Sequence, residues 1–204
     1  MSKVSIVKQS RREGYALHPK AHKALVKRSV VPGGNPSGRG PRNKPSQYSI
    51  QLREKQKVKR LYGLLEKQFA NLMAEASRTK GQSGEVLLSY LERRIDNVIY
   101  RAGYAPSRPA ARQLVTHGHF MLNGRRIDIP SIRVSDGDKI SLRPRSLQSI
   151  YFQRIDETSP PNNITVSWLK VNRKKLEVEV TGKPLREEAE LDINEQLIVE
   201  YYSR

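Results

Sequence analysis

The stretch SRPAARQLVTHGHFMLNGRRIDIP, residues 107–130, leaves the backbone few courses to follow. Ser107 is an N-cap whose hydroxyl can accept an orphaned helical N–H, and Pro109 lies in the first turn, where a missing N–H costs nothing. Gly118 supplies the left-handed residue that stops a helix. Asn123 and Gly124 both tolerate the positive φ of a two-residue hairpin turn, so 120–122 and 125–129 are predicted to pair as antiparallel strands. A second turn at SDGD (135–138) feeds a further strand, KISLR (139–143). On the helix, Ala111, Leu114 and Val115 face inward, while Arg108, Arg112 and Thr116 follow one another at four-residue spacing on an adjacent face.

Upstream, Leu87, Leu88, Leu91, Ile95, Val98 and Ile99 form an apolar stripe at helical spacing that ends near Gly103, with Arg93, Arg94 and Arg101 off it. The spacing therefore predicts two helices packed on a small antiparallel sheet over 91–184, with its core motif at 91–150. Residues 46–90 carry another stripe, Val58, Leu61, Tyr62, Leu65, Phe69, Leu72, Met73 and Ala76, expected as a long helix or helix pair that Gly63 loosens. The segment LREKQKVKR (52–60) sets Arg53, Lys55, Lys57, Lys59 and Arg60 around the other faces, with Glu54 the only acid among them. Solvated helix faces usually mix signs, so this run reads as a cationic surface.

Charge is distributed along the chain in a gradient. Residues 1–60 hold 16 basic and 2 acidic side chains, 61–150 hold 14 and 8, and 151–204 hold 8 and 10, for net charges of +14, +6 and −2. The first two thirds are suited to a polyanion. Membrane lipid is the weaker partner, because no apolar run approaches the roughly 18 residues of a spanning helix and the N-terminus lacks a signal-like apolar core. Without cysteine there is no disulfide and no thiolate chemistry, and the chain is expected to be soluble and intracellular.

Residues 1–45 are read as a basic extended arm. The stretch RSVVPGGNPSGRGPRNKP (28–45) has no hydrophobic period, and its Gly33–Gly38–Arg39 spacing lacks the Lys-Ser/Thr ending of a phosphate-cradling loop. His18 and His22 are four apart, but Pro19 is read as disrupting the helix such a metal-binding pair needs, so neither metal nor cofactor is expected. At the other end, SWLKVNRKKLEVEVTGKP (167–184) reads as two strands around an Asn-containing turn, with Trp168 as packing. In DINEQLIVEYYSR (192–204), Leu197, Val199 and Tyr201 alternate with polar residues, as buried extended structure does.

The helix carrying Arg108 and Arg112 beside a hairpin tipped by Arg125 and Arg126 suggests a concave basic surface for a folded RNA backbone. Thr116, His119 and Asn123 are candidates for added hydrogen bonds to phosphate or ribose, although turn and rim roles suit Asn123 and the histidines equally well. On this reading, reversing the charge of Arg112 weakens RNA binding without unfolding the domain. Asp96 is the carboxylate nearest these arginines and is read as pairing with them, not as a base.

Three blocks carry a family likeness: YSIQLREKQKVKRLYGLLEKQF (48–69), LERRIDNVIYRAGYAPSRPAARQLVTHGHFMLNGR (91–125) and DINEQLIVEYYSR (192–204). From about Ser10 to the last residue the chain resembles the bacterial and organellar type of small-subunit ribosomal protein four, after which a widespread RNA-binding domain is named. The resemblance implies an α+β fold: a helical domain over 46–90 completed by 185–204, with the RNA-binding domain at 91–184 inserted into it. It implies a non-catalytic primary binder of small-subunit ribosomal RNA that nucleates assembly of the subunit body, touches ribosomal protein five near the messenger entrance and affects decoding accuracy. The place of work is then the ribosome, cytoplasmic or organellar. Carried over by position, Arg11, Arg12, the cations of 53–60, Arg93, Arg108, Arg112 and Arg125 are RNA contacts, and Arg39, Arg42 and Lys44 fall along the messenger path. No small-molecule substrate is implied. Two rivals use the same RNA-binding domain, an RNA-modifying enzyme and a stand-alone RNA chaperone. The first needs a catalytic domain for which 151–204 is too short, and the second has no need of the 48–76 helices or the C-terminal return.

Overall fold

The computed structural model describes residues 4–28, 30–33, 44–160, 166–190 and 192–203. Most of the Gly-rich stretch, including Gly38, Arg39 and Arg42, lies outside the described residues. The chain divides into two compact units, residues 1–84 with 192–204 and residues 85–191.

In the first unit, α1 (Ile6–Glu13) ends at Gly14, whose φ of 65° is the left-handed stop of a helix. Helix α2 (Pro19–Lys27) begins at His18, whose Nδ1 accepts from the Lys20 N–H at 3.0 Å, and Pro19 sits at its first position. The arm is therefore not extended over its first part. Pro19 starts a helix here where the sequence reading has it disrupt one, because its ring only forbids helical positions that must donate an N–H. Leu17 and Ala21 are buried between these two helices.

Helices α3 (Gln47–Leu61) and α4 (Glu66–Arg78) form the predicted pair, broken at Gly63, which takes a φ of 65°. The terminal segment is a correction. Residues 195–202 form α10 (Glu195–Tyr202), not an alternating strand, and the fully buried side chain is Ile198, between the residues that alternate. This helix docks on α3: Gln51 Nε2 donates to Glu200 Oε2 (2.8 Å), the Asn194 N–H donates to Glu54 Oε1 (2.9 Å), and Lys57 Nζ donates to the Asp192 carbonyl (2.5 Å).

In the second unit the apolar stripe of 87–99 is buried as expected, but on two helices, α5 (Ser83–Glu92), which begins at the division, and α6 (Ile95–Arg101). The break falls at Arg93 and Arg94, where Arg94 makes an isolated antiparallel bridge to Arg133. Helix α7 (Arg108–Thr116) packs on α6, capped by Ser107 at one end and closed by Gly118 (φ 70°) at the other. Strands β1 (Phe120–Leu122), β2 (Arg125–Ile127), β3 (Lys139–Leu142), β4 (Leu169–Asn172) and β5 (Glu177–Val180) make one antiparallel sheet in the order β2-β1-β3-β5-β4. The hairpin turn has the predicted form, with positive φ at Asn123 (49°) and Gly124 (80°). The short helices α8 (Ile150–Gln153) and α9 (Ile155–Thr158) bring Phe152 and Ile155 into the core beside Tyr104, Phe120 and Trp168. Among the described residues no helix is long and apolar enough to cross a membrane.

Candidate nucleic-acid interface

The arginines of the second unit separate into two groups according to what their guanidinium groups meet. Asp96, in the first turn of α6, is the centre of one network. Arg94 embraces it with two hydrogen bonds (Nε–Oδ1 3.1 Å, Nη2–Oδ2 2.9 Å), and Arg112 from α7 reaches Oδ2 through Nε (3.0 Å) and Nη2 (2.8 Å). The carboxylate and Arg94 are buried, and Arg112 retains 22 % of its side-chain exposure. The expected pairing of Asp96 is thus present.

A second network holds Arg108. Its Nε donates to Asn97 Oδ1 (2.8 Å) and its Nη2 to Glu190 Oε1 (2.7 Å). Arg101 pairs twice with Glu92 (2.9 and 2.8 Å), whose Oε2 also accepts from Asn97 Nδ2 (2.8 Å). Arg93 is turned toward its own unit, donating through Nε to the Val134 carbonyl at 2.7 Å. Arg93, Arg108 and Arg112, expected as RNA contacts, are thus each engaged by partners within the protein. The expectation that Arg112 can be reversed without cost to the fold is corrected, since a glutamate there would face buried Asp96.

The cations of the run at 52–60 have partners too. Lys55 is buried, donating to Glu66 Oε1 (2.6 Å) with its Nζ 4.3 Å from the centre of the Tyr201 ring. Lys59 takes the other oxygen of Glu66 (2.7 Å), and Lys57 pairs with Glu54 (2.8 Å). Burial would raise the Glu66 carboxyl, but hydrogen bonds and charge from Lys55 and Lys59 outweigh it and hold the pKa at about 2. Arg53 (3.3 Å) and Arg60 both reach Glu13 Oε1. Arg11 donates to the Val30 carbonyl (2.7 Å), while Arg12 and Lys44 are exposed.

The hairpin behaves differently. Arg125 and Arg126 are exposed and make no ion pair among the described residues. Arg126 lies across the end of α7, where a Cβ on Gly118 would come within 2.6 Å of its Nε, so Gly118 both permits the left-handed turn and makes room for the guanidinium. The adjoining His119 places Nδ1 3.0 Å from Ser146 Oγ, and burial, with His117 and Arg143 nearby, lowers its pKa. Thr116 is exposed, its hydroxyl donating to the Arg112 carbonyl at 2.8 Å.

Asn123 ties the turn together. Its Nδ2 donates to Asp138 Oδ1 (2.7 Å) and its Oδ1 accepts from the Lys139 N–H (2.8 Å), tying the hairpin tip to the 135–138 turn. That is the turn role the sequence allows for it, and it uses one donor and one acceptor of the amide.

Arg143 and Arg145 are two further cations of this unit that the sequence reading does not single out. The Arg143 N–H donates to the His119 carbonyl at 2.8 Å, and Arg145 stands exposed on a 3₁₀ turn, Pro144–Gln148. The signal was two arginines around Pro144 directly after a strand, a place where cations are held apart on a stiff turn.

With this geometry in view, comparisons with known proteins bear on the whole chain. A model described as "Ribosomal protein S4/S9 N-terminal domain" matches residues 3–92, and the "S4 domain" model matches 93–140. The small ribosomal subunit protein uS4 of Clostridioides difficile (strain 630) is 48 % identical over 203 residues, covering 97 % of this chain and 96 % of that protein. The chain belongs to the uS4 family. The uS4 protein of Herpetosiphon aurantiacus is also 48 % identical, over 98 % of this chain and 97 % of its own length, and that of Chlorobaculum tepidum is 46 % identical with the same coverage. The two matched domain models meet between residues 92 and 93, where α5 gives way to the Arg93–Arg94 break.

Proposed function

We infer that this uS4 protein is a structural constituent of the small ribosomal subunit that binds small-subunit ribosomal RNA, and that it is not an enzyme. Its relatives are named as ribosomal subunit proteins over nearly their full length, which supports neither the RNA-modifying enzyme nor the stand-alone chaperone. The observation that carries the mechanism is the division of the cations. Those facing buried carboxylates hold the frame rigid, and Arg125, Arg126, Arg143 and Arg145 on that frame are left for phosphate. Phosphate neutralisation then supplies most of the affinity, and the shape of the RNA selects the site.

Arg112 and Arg108 act mainly through the frame. Messenger RNA along Arg39, Arg42 and Lys44, and ribosomal protein five as a neighbour, belong to the same reading. Their support is the family likeness and, for Lys44, its exposure.

The test is binding of the purified protein to a junction-containing fragment of small-subunit ribosomal RNA across a salt series. If about 8 phosphates are neutralised, log K falls against log salt with a slope of order −6. A nearly flat dependence, or failure of the native protein to co-sediment with small subunits, would overturn the reading.

A further inference from the structure

Three cations of the first unit converge on a small cleft. Lys8 and Arg12 stand one turn apart on α1, where like charges weaken a helix unless something answers them. Both are exposed, and neither forms an ion pair among the described residues. Arg60 of α3 closes the opposite wall, and Val4 and Gln9 complete a cavity of about 50 Å³, its edge tied by a hydrogen bond from Gln9 Nε2 to the Val4 carbonyl (3.2 Å).

Arg60 is held from behind. Its Nη1 donates to Glu13 Oε1, which also takes Arg53, and the Glu13 side chain is fully buried. The Nε and Nη2 of Arg60 make no hydrogen bond among the described residues. Glu13 Oε2 is buried without a partner, so Glu13 offers one oxygen to two guanidinium groups and does not neutralise the cleft. The cavity is small and lined by polar and charged groups, which suits a compact oxyanion. Charge-assisted donors from three directions suit a phosphate.

We propose that the cleft between α1 and α3 seats one backbone phosphate of the bound RNA, gripped by Lys8, Arg12 and Arg60, with Glu13 as the positioning residue for Arg60. The proposal rests on the ribosomal RNA reading and narrows it to a single contact.

Lys8→Gln, Arg12→Gln and the double variant of the full chain, with folding checked by circular dichroism, are compared with the wild type on the same RNA across the salt series. Each single substitution weakens binding and lowers the salt slope by no more than about 1, because the remaining cations still face the phosphate. The double substitution also lowers it by about 1, because both side chains share one phosphate and their effects do not add. Failure of the wild type to bind would bring down the ribosomal RNA reading. A wild type that binds, with a double variant whose slope falls by about 2 or not at all, overturns the cleft alone. Glu13→Gln separates positioning from charge: it raises the net charge by one, yet affinity falls if Glu13 aims Arg60, and a rise would refute that role.

Discussion

Replacing Asp96 by asparagine keeps the volume of the side chain and removes the charge that holds Arg94 and Arg112 together. Two guanidinium groups, one buried and one at 22 % exposure, would then face an amide that can accept from them only weakly. Removing one partner of a buried ion pair costs about 3–5 kcal/mol, and the partial exposure of Arg112 argues for the lower end, about 3 kcal/mol. At about 4–8 °C per kcal/mol for a domain of this size, the unfolding midpoint should drop by roughly 12–24 °C. The chain's single tryptophan, Trp168, is buried in the core of the same unit, so its fluorescence reports this transition. Arg112→Met is the companion, since it leaves Asp96 in its two-bonded pair with Arg94 and should cost less than half as much. If Asp96→Asn costs under about 1 kcal/mol, the network is no more than a surface ion pair and the rigid-frame argument fails.

Gly118→Ala should destabilise the second unit by about 1–2 kcal/mol, because it combines a left-handed backbone with a Cβ that displaces Arg126. RNA affinity measured where the variant is still folded should fall too, and unchanged affinity would remove Arg126 from the interface. Asn123→Ala loses two hydrogen bonds and a residue tolerant of positive φ, so Trp168 unfolding should shift by about 1–3 kcal/mol. A shift near zero would mean that the hairpin tip needs no tie. The depressed Glu66 carboxyl makes its contribution to the first unit complete above the ordinary carboxylate range and lost as pH falls from about 4.5 toward about 2. The stability difference between wild type and Glu66→Gln, followed by helical circular dichroism, should shrink across that window. The comparison isolates Glu66 from Glu13, whose burial outweighs its arginine neighbours, raises its pKa and gives the opposite slope. A difference that does not change with pH would refute the assignment.

Legibility varied with the range of the interactions. The cap at Ser107, the stop at Gly118 and the Asn123–Gly124 turn were readable because each depends on a few neighbouring residues and their allowed φ. The apolar stripes named most of the buried side chains of α3 to α7, since burial follows the helical period, but Leu65 is exposed and Leu64 is buried in its place, because the Gly63 break shifts the register between α3 and α4. The break at Arg93–Arg94 was not visible in that stripe, because its cause is a bridge to Arg133, forty residues on. In the candidate site, the exposed cations of the hairpin tip and the pairing of Asp96 were legible, and the Asn97 and Glu190 partners of Arg108 were not.

The amino-acid sequence alone determined the α+β class, the hairpin, most of the core and the excess of positive charge, because period, turn chemistry and composition are local or additive. Only the tertiary structure decided which cations are spent on the fold. Arg108 meets Glu190 across 82 positions and Gln51 meets Glu200 across 149, and such pairs leave no mark on the residues between them. It also decided that 195–202 is a helix, because a segment that short takes the form that best covers its neighbour, here α3.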